Sequence, residues 1–134
     1  MDKRLFLSSL ALAAAGSWIT ANAQPNATRV KLVFLLHRKP GMEAEEFHRY
    51  WRDVHGPIGA AMPGVRRYVQ NHAGAALDGS PAPCDGFAEI WFDDVASMMQ
   101  ALTSPEGLAA QADAANFMDV SRVPTFVVEE SIIV

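Results

Sequence analysis

The sequence predicts an α+β fold with its elements in the order β-α-β-β-α-β. Three observations carry that expectation. Val30, Leu32, Val33, Phe34, Leu35 and Leu36 form a nearly continuous apolar run, the pattern of a strand buried on both faces. Phe47, Tyr50, Trp51 and Val54 recur at helical spacing. Ala88, Ile90 and Phe92 alternate with Phe87, Glu89 and Trp91, as in a strand with two different faces.

Composition excludes several classes. A chain of 134 residues suits one domain. At 50% hydrophobic it is too apolar to be disordered. The net charge of -4 argues against a nucleic-acid or anionic-membrane surface, which needs clustered Lys and Arg. The single cysteine, Cys84, stands in the loop Ser80-Pro81-Ala82-Pro83-Cys84-Asp85-Gly86 and has no partner in its own chain.

The first 23 residues read as a signal peptide and not as fold. Lys3 and Arg4 give a positive start, and Leu5 to Ala15 is apolar apart from Ser8 and Ser9. Ala21-Asn22-Ala23 places small residues at the two positions a signal peptidase reads. Ser8, Ser9, Gly16, Ser17 and Thr20 break the run short of the ~20 apolar residues of a membrane anchor. No cysteine lies near the site to take a lipid, and no Arg-Arg pair signals twin-arginine export. The expected organisation is residues 1–23 signal peptide, 24–29 polar lead-in and 30–134 one domain, exported to a periplasm or beyond. Removing 23 of the 134 residues leaves 111, and losing Asp2, Lys3 and Arg4 moves the net charge from -4 to -5.

The elements follow in order. The first strand runs from Val30 to Arg38 and is punctuated by Lys39-Pro40-Gly41. A helix follows from Met42 or Glu43 to Val54, with Glu43, Glu45 and Glu46 in the first turn, where the helix dipole favours negative charge. His55-Gly56-Pro57 is expected to end it. Ile58 to Met62 reads as a short helical link stopped by Pro63-Gly64. Val65 to His72 alternates well enough for a second strand, and Ala73 to Asp85 is a Gly/Pro/Asp-rich loop. Gly86 to Phe92 is the third strand. A helix from Asp94 to Thr103 takes Asp93 or Asp94 as cap. Ser104-Pro105-Glu106 restarts a short helix, and the Ala-rich stretch from Ala109 to Met118 is helical in part. Pro124 to Ile133 is the last strand. This order is the ferredoxin-like split βαβ arrangement, an antiparallel sheet with helices on one face. The first and last strands carry apolar residues for both faces, Phe126, Val127, Val128, Ile132 and Ile133 among them. A second copy of the sheet is the economical cover, so a homodimer is expected.

The residues fit for chemistry cluster on the first helix. Phe47, Trp51 and His55 are spaced i, i+4, i+8, and His48 lies seven before His55, on nearly the same face. His55 is the stronger candidate, because it stands where the chain opens before Gly-Pro, and imidazole acts as acid or base near neutrality. Its structural alternative is a cap at the helix end. A metal is disfavoured, since seven helical residues hold the two rings roughly 10 Å apart and no His-x-x-x-His or Cys-x-x-Cys spacing occurs. Glu89, between Phe87 and Trp91, either orients a histidine or forms a salt bridge with Arg66 or Arg67. Tyr68 shares a strand face with His72 and offers a phenolic hydrogen bond, unless it simply packs in the core. Phosphate loops, a nucleophile elbow and flavin, haem or nicotinamide motifs are missing, so no cofactor is expected.

Four blocks carry a family resemblance. They are Val33-Phe34-Leu35-Leu36-His37-Arg38-Lys39-Pro40-Gly41-Met42, then Glu46-Phe47-His48-Arg49-Tyr50-Trp51-Arg52-Asp53-Val54-His55-Gly56-Pro57, then Met62 to His72, and Asp85-Gly86-Phe87-Ala88-Glu89-Ile90-Trp91-Phe92. In them the chain resembles the EthD family of the dimeric α+β barrel superfamily. The resemblance implies a ferredoxin-like protomer, a dimer of two sheets packed face to face, and a small hydrophobic pocket between sheet and helices. The family is named for an accessory protein of ethyl tert-butyl ether degradation, and EthD-like domains also occur in fungal decarboxylases of aromatic polyketide acids. His55, His48 and Glu89 are then the expected catalytic positions. Trp51, Tyr68, Phe87, Trp91, Phe47 and His72 are the expected ligand contacts. The implied function is binding of a small hydrophobic compound, enolisable or aromatic, with cofactor-free proton transfer of lyase, isomerase or decarboxylase type. The alternative is a non-catalytic binder or an accessory protein of an oxidoreductase system.

The leader has a direct test. Intact-mass analysis of the protein recovered from outside the cytoplasm is expected to give a chain beginning at Gln24. A recovered chain still beginning at Met1 would overturn the reading.

Overall fold

The structure is a computed structural model, and it describes residues 29–134. The signal peptide and most of the polar lead-in lie outside the described residues. Four strands are hydrogen-bonded in the order β2-β3-β1-β4, with β1 at Val30–Leu36, β2 at Arg67–His72, β3 at Gly86–Phe92 and β4 at Thr125–Val128. All three pairings are antiparallel. This is the ferredoxin-like arrangement, and it puts the apolar run of β1 in a central position, as expected for a strand with few polar side chains.

Helices cover one sheet face. They are α1 (Ala44–Tyr50), a π-helical turn (Trp51–His55), α2 (Gly56–Ala60), α3 (Val95–Thr103) and α4 (Pro105–Asp113), followed by a 3₁₀ turn at Ala114–Asn116. Asp94 caps α3 by accepting from the Ser97 N–H, and Ser104 caps α4 by accepting from the Gly107 N–H. Leu32, Ile90, Phe92 and Val127 pack with Met98, Ala101 and Leu102 of α3 in one half of the core. Leu36, Phe47, Trp51 and Ala88 pack with Phe117 and Met118 in the other. Phe34 and Tyr68 touch both halves.

The first helix differs from its expectation. His55-Gly56-Pro57 does not end it, and the helical path continues to Ala60. The reason is a change of hydrogen-bond register. Pro57 has no N–H to give to the Asp53 carbonyl, so a regular α-helix would lose a bond there. The chain widens instead. The Gly56 N–H reaches back to the Trp51 carbonyl, an i to i+5 bond, and Pro57 falls in the first turn of α2, where a missing N–H costs nothing. Gln70 Nε2 also donates to the Trp51 carbonyl, at 2.8 Å.

The last strand is shorter than expected. The register pairs Lys31 with Val128, and β1 begins one residue earlier at Val30. Among the described residues no strand pairing continues beyond Val128, and Ile132 and Ile133 lie exposed.

The other sheet face carries Lys31 and Val33 of β1, Val69 and Asn71 of β2, Phe87, Glu89 and Trp91 of β3, and Phe126 of β4, as the pairings Val33↔Glu89, Val69↔Glu89 and Val33↔Phe126 require. Val33 is 7% exposed, while Phe87 and Phe126 are 39% and 42% exposed. No helix of the described residues is long and apolar enough to cross a membrane.

Candidate functional site

Between the helices and the sheet lies an apolar cavity of about 390 Å³. Phe34, Leu36, Ala88 and Ile90 form its sheet wall, and Ala110 and Ala114 part of its helix wall. Three polar side chains line it, namely His55, Tyr68 and Gln111. No Lys, Arg, Asp or Glu is among the lining residues.

The π-helical turn delivers Trp51 and His55 to this cavity. Trp51 is fully buried and rests against the backbone of Gly86. A Cβ added at Gly86 would collide with the Asn71 carbonyl oxygen and lie 2.7 Å from Trp51 Cζ3. Glycine there lets the indole lie flush on the end of β3.

His55 is held by Asp113 at the end of α4, with Nδ1 2.9 Å from Oδ2. Their side chains are 14% and 11% exposed. A carboxylate only accepts hydrogen bonds, so Nδ1 carries the proton and Nε2 is left as the acceptor. Nε2 has no hydrogen-bond partner among the described residues. Phe117 packs on the imidazole with ring centroids 4.7 Å apart. Burial pushes the His55 pKa below the ordinary imidazole value, against the opposing pull of Asp113. The ring is therefore neutral at neutral pH.

Asp113 is the hub. Tyr50 donates its hydroxyl at 2.7 Å and Asn116 its amide at 2.9 Å, both to Oδ1. Burial alone would raise this carboxyl. Hydrogen bonds from Tyr50, Asn116 and His55 outweigh it and hold the pKa below the ordinary value. Asp113 thus stays ionised while His55 stays neutral.

Tyr68 presents its hydroxyl from β2. Burial raises its pKa, while hydrogen bonds from Gln70 and Trp51 pull the other way. The phenol oxygen accepts from Gln70 Nε2 at 3.1 Å, and its own hydrogen meets no acceptor among the described residues. Gln111 is anchored by Nε2, which donates to the carbonyls of Leu102 at 2.8 Å and Gly107 at 3.2 Å. Its Oε1 is buried and has no partner.

Of the residues singled out in the sequence, the cavity gathers His55, Trp51 and Tyr68. The others are corrected. Glu89 points from the opposite face of β3 and cannot touch His55. Lys31 donates to it at 2.7 Å and Asn71 at 2.9 Å, and these partners hold its pKa down. It is thus a salt-bridged residue, but with Lys31 where Arg66 or Arg67 was expected. Arg66 pairs with Asp93 instead, and Arg67 lies over the Trp91 ring. Phe87 and Trp91 share the face of Glu89 by the same alternation. Phe47 is fully buried between Trp51 and Phe117 and acts as core. His48 and His72 meet each other, Nδ1 to Nδ1 at 2.7 Å, outside the cavity. His72 backs the Trp51 ring at 4.4 Å between centroids and bonds Gln70 Oε1 through Nε2. Burial, His48 and Arg52 keep its pKa low.

Asp113 and Gln111 escaped the sequence reading. The signal available was their place among alanines. Gln111, Asp113 and Asn116 are the polar residues of the stretch Ala109 to Met118, and two of the three meet at the hub.

Comparison with known proteins agrees with this architecture. The model of the EthD domain family matches residues 39–121. A Rhodococcus erythropolis protein described as an uncharacterized 11.0 kDa protein in the thcB-thcC intergenic region is 32% identical over 87 residues, spanning 65% of this chain and 84% of that protein. The crystal structure of an ethyl tert-butyl ether degradation family protein from Bacillus halodurans is 25% identical, with a TM-score of 0.67, covering 77% of this chain and 99% of that one. The hydroxynitrile lyase of Passiflora edulis shares the fold at 15% identity and a TM-score of 0.59, over 79% of this chain and 98% of that one. The chain belongs to the EthD domain family.

Proposed function

We propose that the cavity is the reaction site for proton transfer on a small hydrophobic carbonyl compound, with His55 as base and then acid. The observation that carries this reading is the Asp113–His55 pair at the cavity wall. It leaves a neutral Nε2 in an apolar enclosure, which is what a general base near neutrality needs. Nε2 takes a proton from a carbon next to the carbonyl, and the electron pair moves onto the carbonyl oxygen. The Tyr68 hydroxyl donates a hydrogen bond to that oxygen. The imidazolium, facing the Asp113 carboxylate, then returns the proton to another carbon or to a leaving group, giving an isomerase or a lyase. The hydroxynitrile lyase of the same fold supports a lyase at the level of architecture only.

The apolar lining also suits a non-catalytic binder or an accessory protein of an oxidoreductase system. Turnover separates these readings from the first, because a ligand recovered unchanged after long incubation points to binding alone. We propose further that the protein works outside the cytoplasm, on the strength of its leader, and as a homodimer. The exposed Phe87 and Phe126 beside Val33 support sheet-to-sheet association. Sedimentation is expected to give twice the protomer mass, and a monomer at micromolar concentration would exclude the dimer.

On an identified substrate, His55→Ala is expected to lower kcat by ~10²–10⁴ while the thermal midpoint holds near that of the wild type. Asp113 keeps Tyr50 and Asn116 as donors in that variant. Full activity in His55→Ala would end the catalytic reading.

The acid side of the pH profile follows from the direction of the His55 shift. The base form is required, so activity falls as pH drops through a pKa below the ordinary ~6.5. Asp113 opposes the lowering, so Asp113→Asn moves the limb to still lower pH. NMR titration of the ring checks both statements, and a His55 pKa above ~6.5 would contradict them.

A further inference from the structure

Outside the cavity, two imidazoles meet. His48 comes from α1 and His72 from the end of β2. Their Nδ1 atoms stand 2.7 Å apart, with His72 exposed and His48 half-buried. The first helix alone spaces its histidines too widely for one ion, but the sheet brings a second ring to His48.

The hydrogen bonds settle which nitrogen of His72 is free. Gln70 Nε2 donates to the Trp51 carbonyl at 2.8 Å and to the Tyr68 hydroxyl oxygen at 3.1 Å. The amide orientation is therefore fixed, and Gln70 Oε1 accepts from His72 Nε2 at 2.9 Å. His72 Nε2 carries the proton, and His72 Nδ1 is a lone pair. His48 Nδ1 supplies the hydrogen between the rings. His48 Nε2 has no hydrogen-bond partner among the described residues, so His48 can hold its proton there instead, with water as acceptor. Both Nδ1 atoms are then lone pairs at one surface gap.

That is the arrangement a metal ion uses. A ligating histidine ordinarily donates its other N–H to an oxygen acceptor, and Gln70 takes that part for His72. Two bonds of ~2.0–2.1 Å to one ion, set at a right angle, separate the nitrogens by about 2.9 Å. The observed 2.7 Å is a slight turn of the rings away from that spacing. Burial, His48 and Arg52 keep the His72 pKa low, so this ring is neutral, the form that binds metal.

We infer that His48 and His72 form a two-histidine site for a divalent cation of the imidazole-seeking kind, copper(II) ahead of zinc(II). Imidazole suits both ions, and copper(II) leads the affinity order of the divalent first-row metals. Among the described residues no group of three or more His, Cys, Asp or Glu gathers, so water completes the coordination. Calcium and magnesium, which want several oxygen ligands, are not held. Arg52 opposes the cation, and its own partner Asp53, at 3.1 Å, offsets part of that charge. The ion clamps α1 to the end of β2. His72 also lies against Trp51, with ring centroids 4.4 Å apart, and Trp51 lines the cavity. The clamp thus ties a cavity wall to the sheet from outside, whatever the cavity binds.

Calorimetric titration of the metal-free mature protein with copper(II) and with zinc(II) tests the site. One ion per protomer is expected, with micromolar affinity and copper(II) the tighter. His48→Ala and His72→Ala are each expected to weaken copper(II) at least about tenfold, whereas His37→Ala changes nothing. Trp51 emission gives a second readout in a Trp91→Phe background, because Trp18 lies in the leader and Trp51 is then the mature chain's remaining indole. Copper(II) is expected to quench it, and His48→Ala to remove the quenching at the same copper(II) concentration. His72 still backs Trp51 in that variant, so circular dichroism is expected to match the wild type. His48→Gln serves where the alanine variant unfolds. No copper(II) binding at micromolar concentration, or binding and quenching unchanged in the His48 variants, overturns the site and leaves the cavity's chemistry untouched.

Discussion

The Asp113 carboxylate ties together what the rest of the site depends on. Tyr50 comes from the end of α1, His55 from the π-helical turn and Asn116 from the 3₁₀ turn after α4. One anion therefore joins the first helical layer to the last. Burying it would be costly if it stood alone, and three donors offset that cost. The bonds do two things at once. They lock two helical segments at the cavity wall, and they fix which imidazole nitrogen carries the proton. Geometry and proton chemistry are thus set by a single group that does not itself line the cavity.

The two faces of the sheet divide the labour. The even-numbered positions of β1 and β3, Leu32, Phe34, Leu36, Ala88 and Ile90, meet the helices and shape the cavity. The odd-numbered positions carry a mixed surface in which Glu89 accepts from Lys31 and from Asn71 of β2, beside exposed Phe87 and, on β4, exposed Phe126. Strand alternation makes this separation strict. Glu89 therefore belongs to the surface face, however close it stands in sequence to Ala88 and Ile90.

Much of the fold was legible in the sequence. The strands announced themselves by run and alternation, and Asp94 and Ser104 by capping chemistry. The helix end at Gly56-Pro57 misled, because a proline normally halts a helix unless the hydrogen-bond register is altered around it, and nothing local in the sequence reports such a change. Half of the site was legible for a similar reason. His55, Trp51 and Tyr68 stand in periodic or alternating segments whose faces can be counted. Asp113 and Gln111 sit in an alanine-rich stretch with little amphipathic contrast, so which polar residue turns inward is decided by distant partners. Glu89 was read together with Phe87 and Trp91, which do share its strand face, but that face looks away from the helices, and alternation alone does not say which of two faces the helices cover.

The widened turn at Trp51–His55 gives the first helical path one residue more than a regular helix of the same reach. That surplus makes the direction of the His55 ring a matter of chain length as well as of side-chain identity. Successive helical residues are rotated by about 100°. A one-residue deletion in this turn would change which side chains the turn aims at the cavity wall, while Pro57 would still supply no N–H to a regular helix.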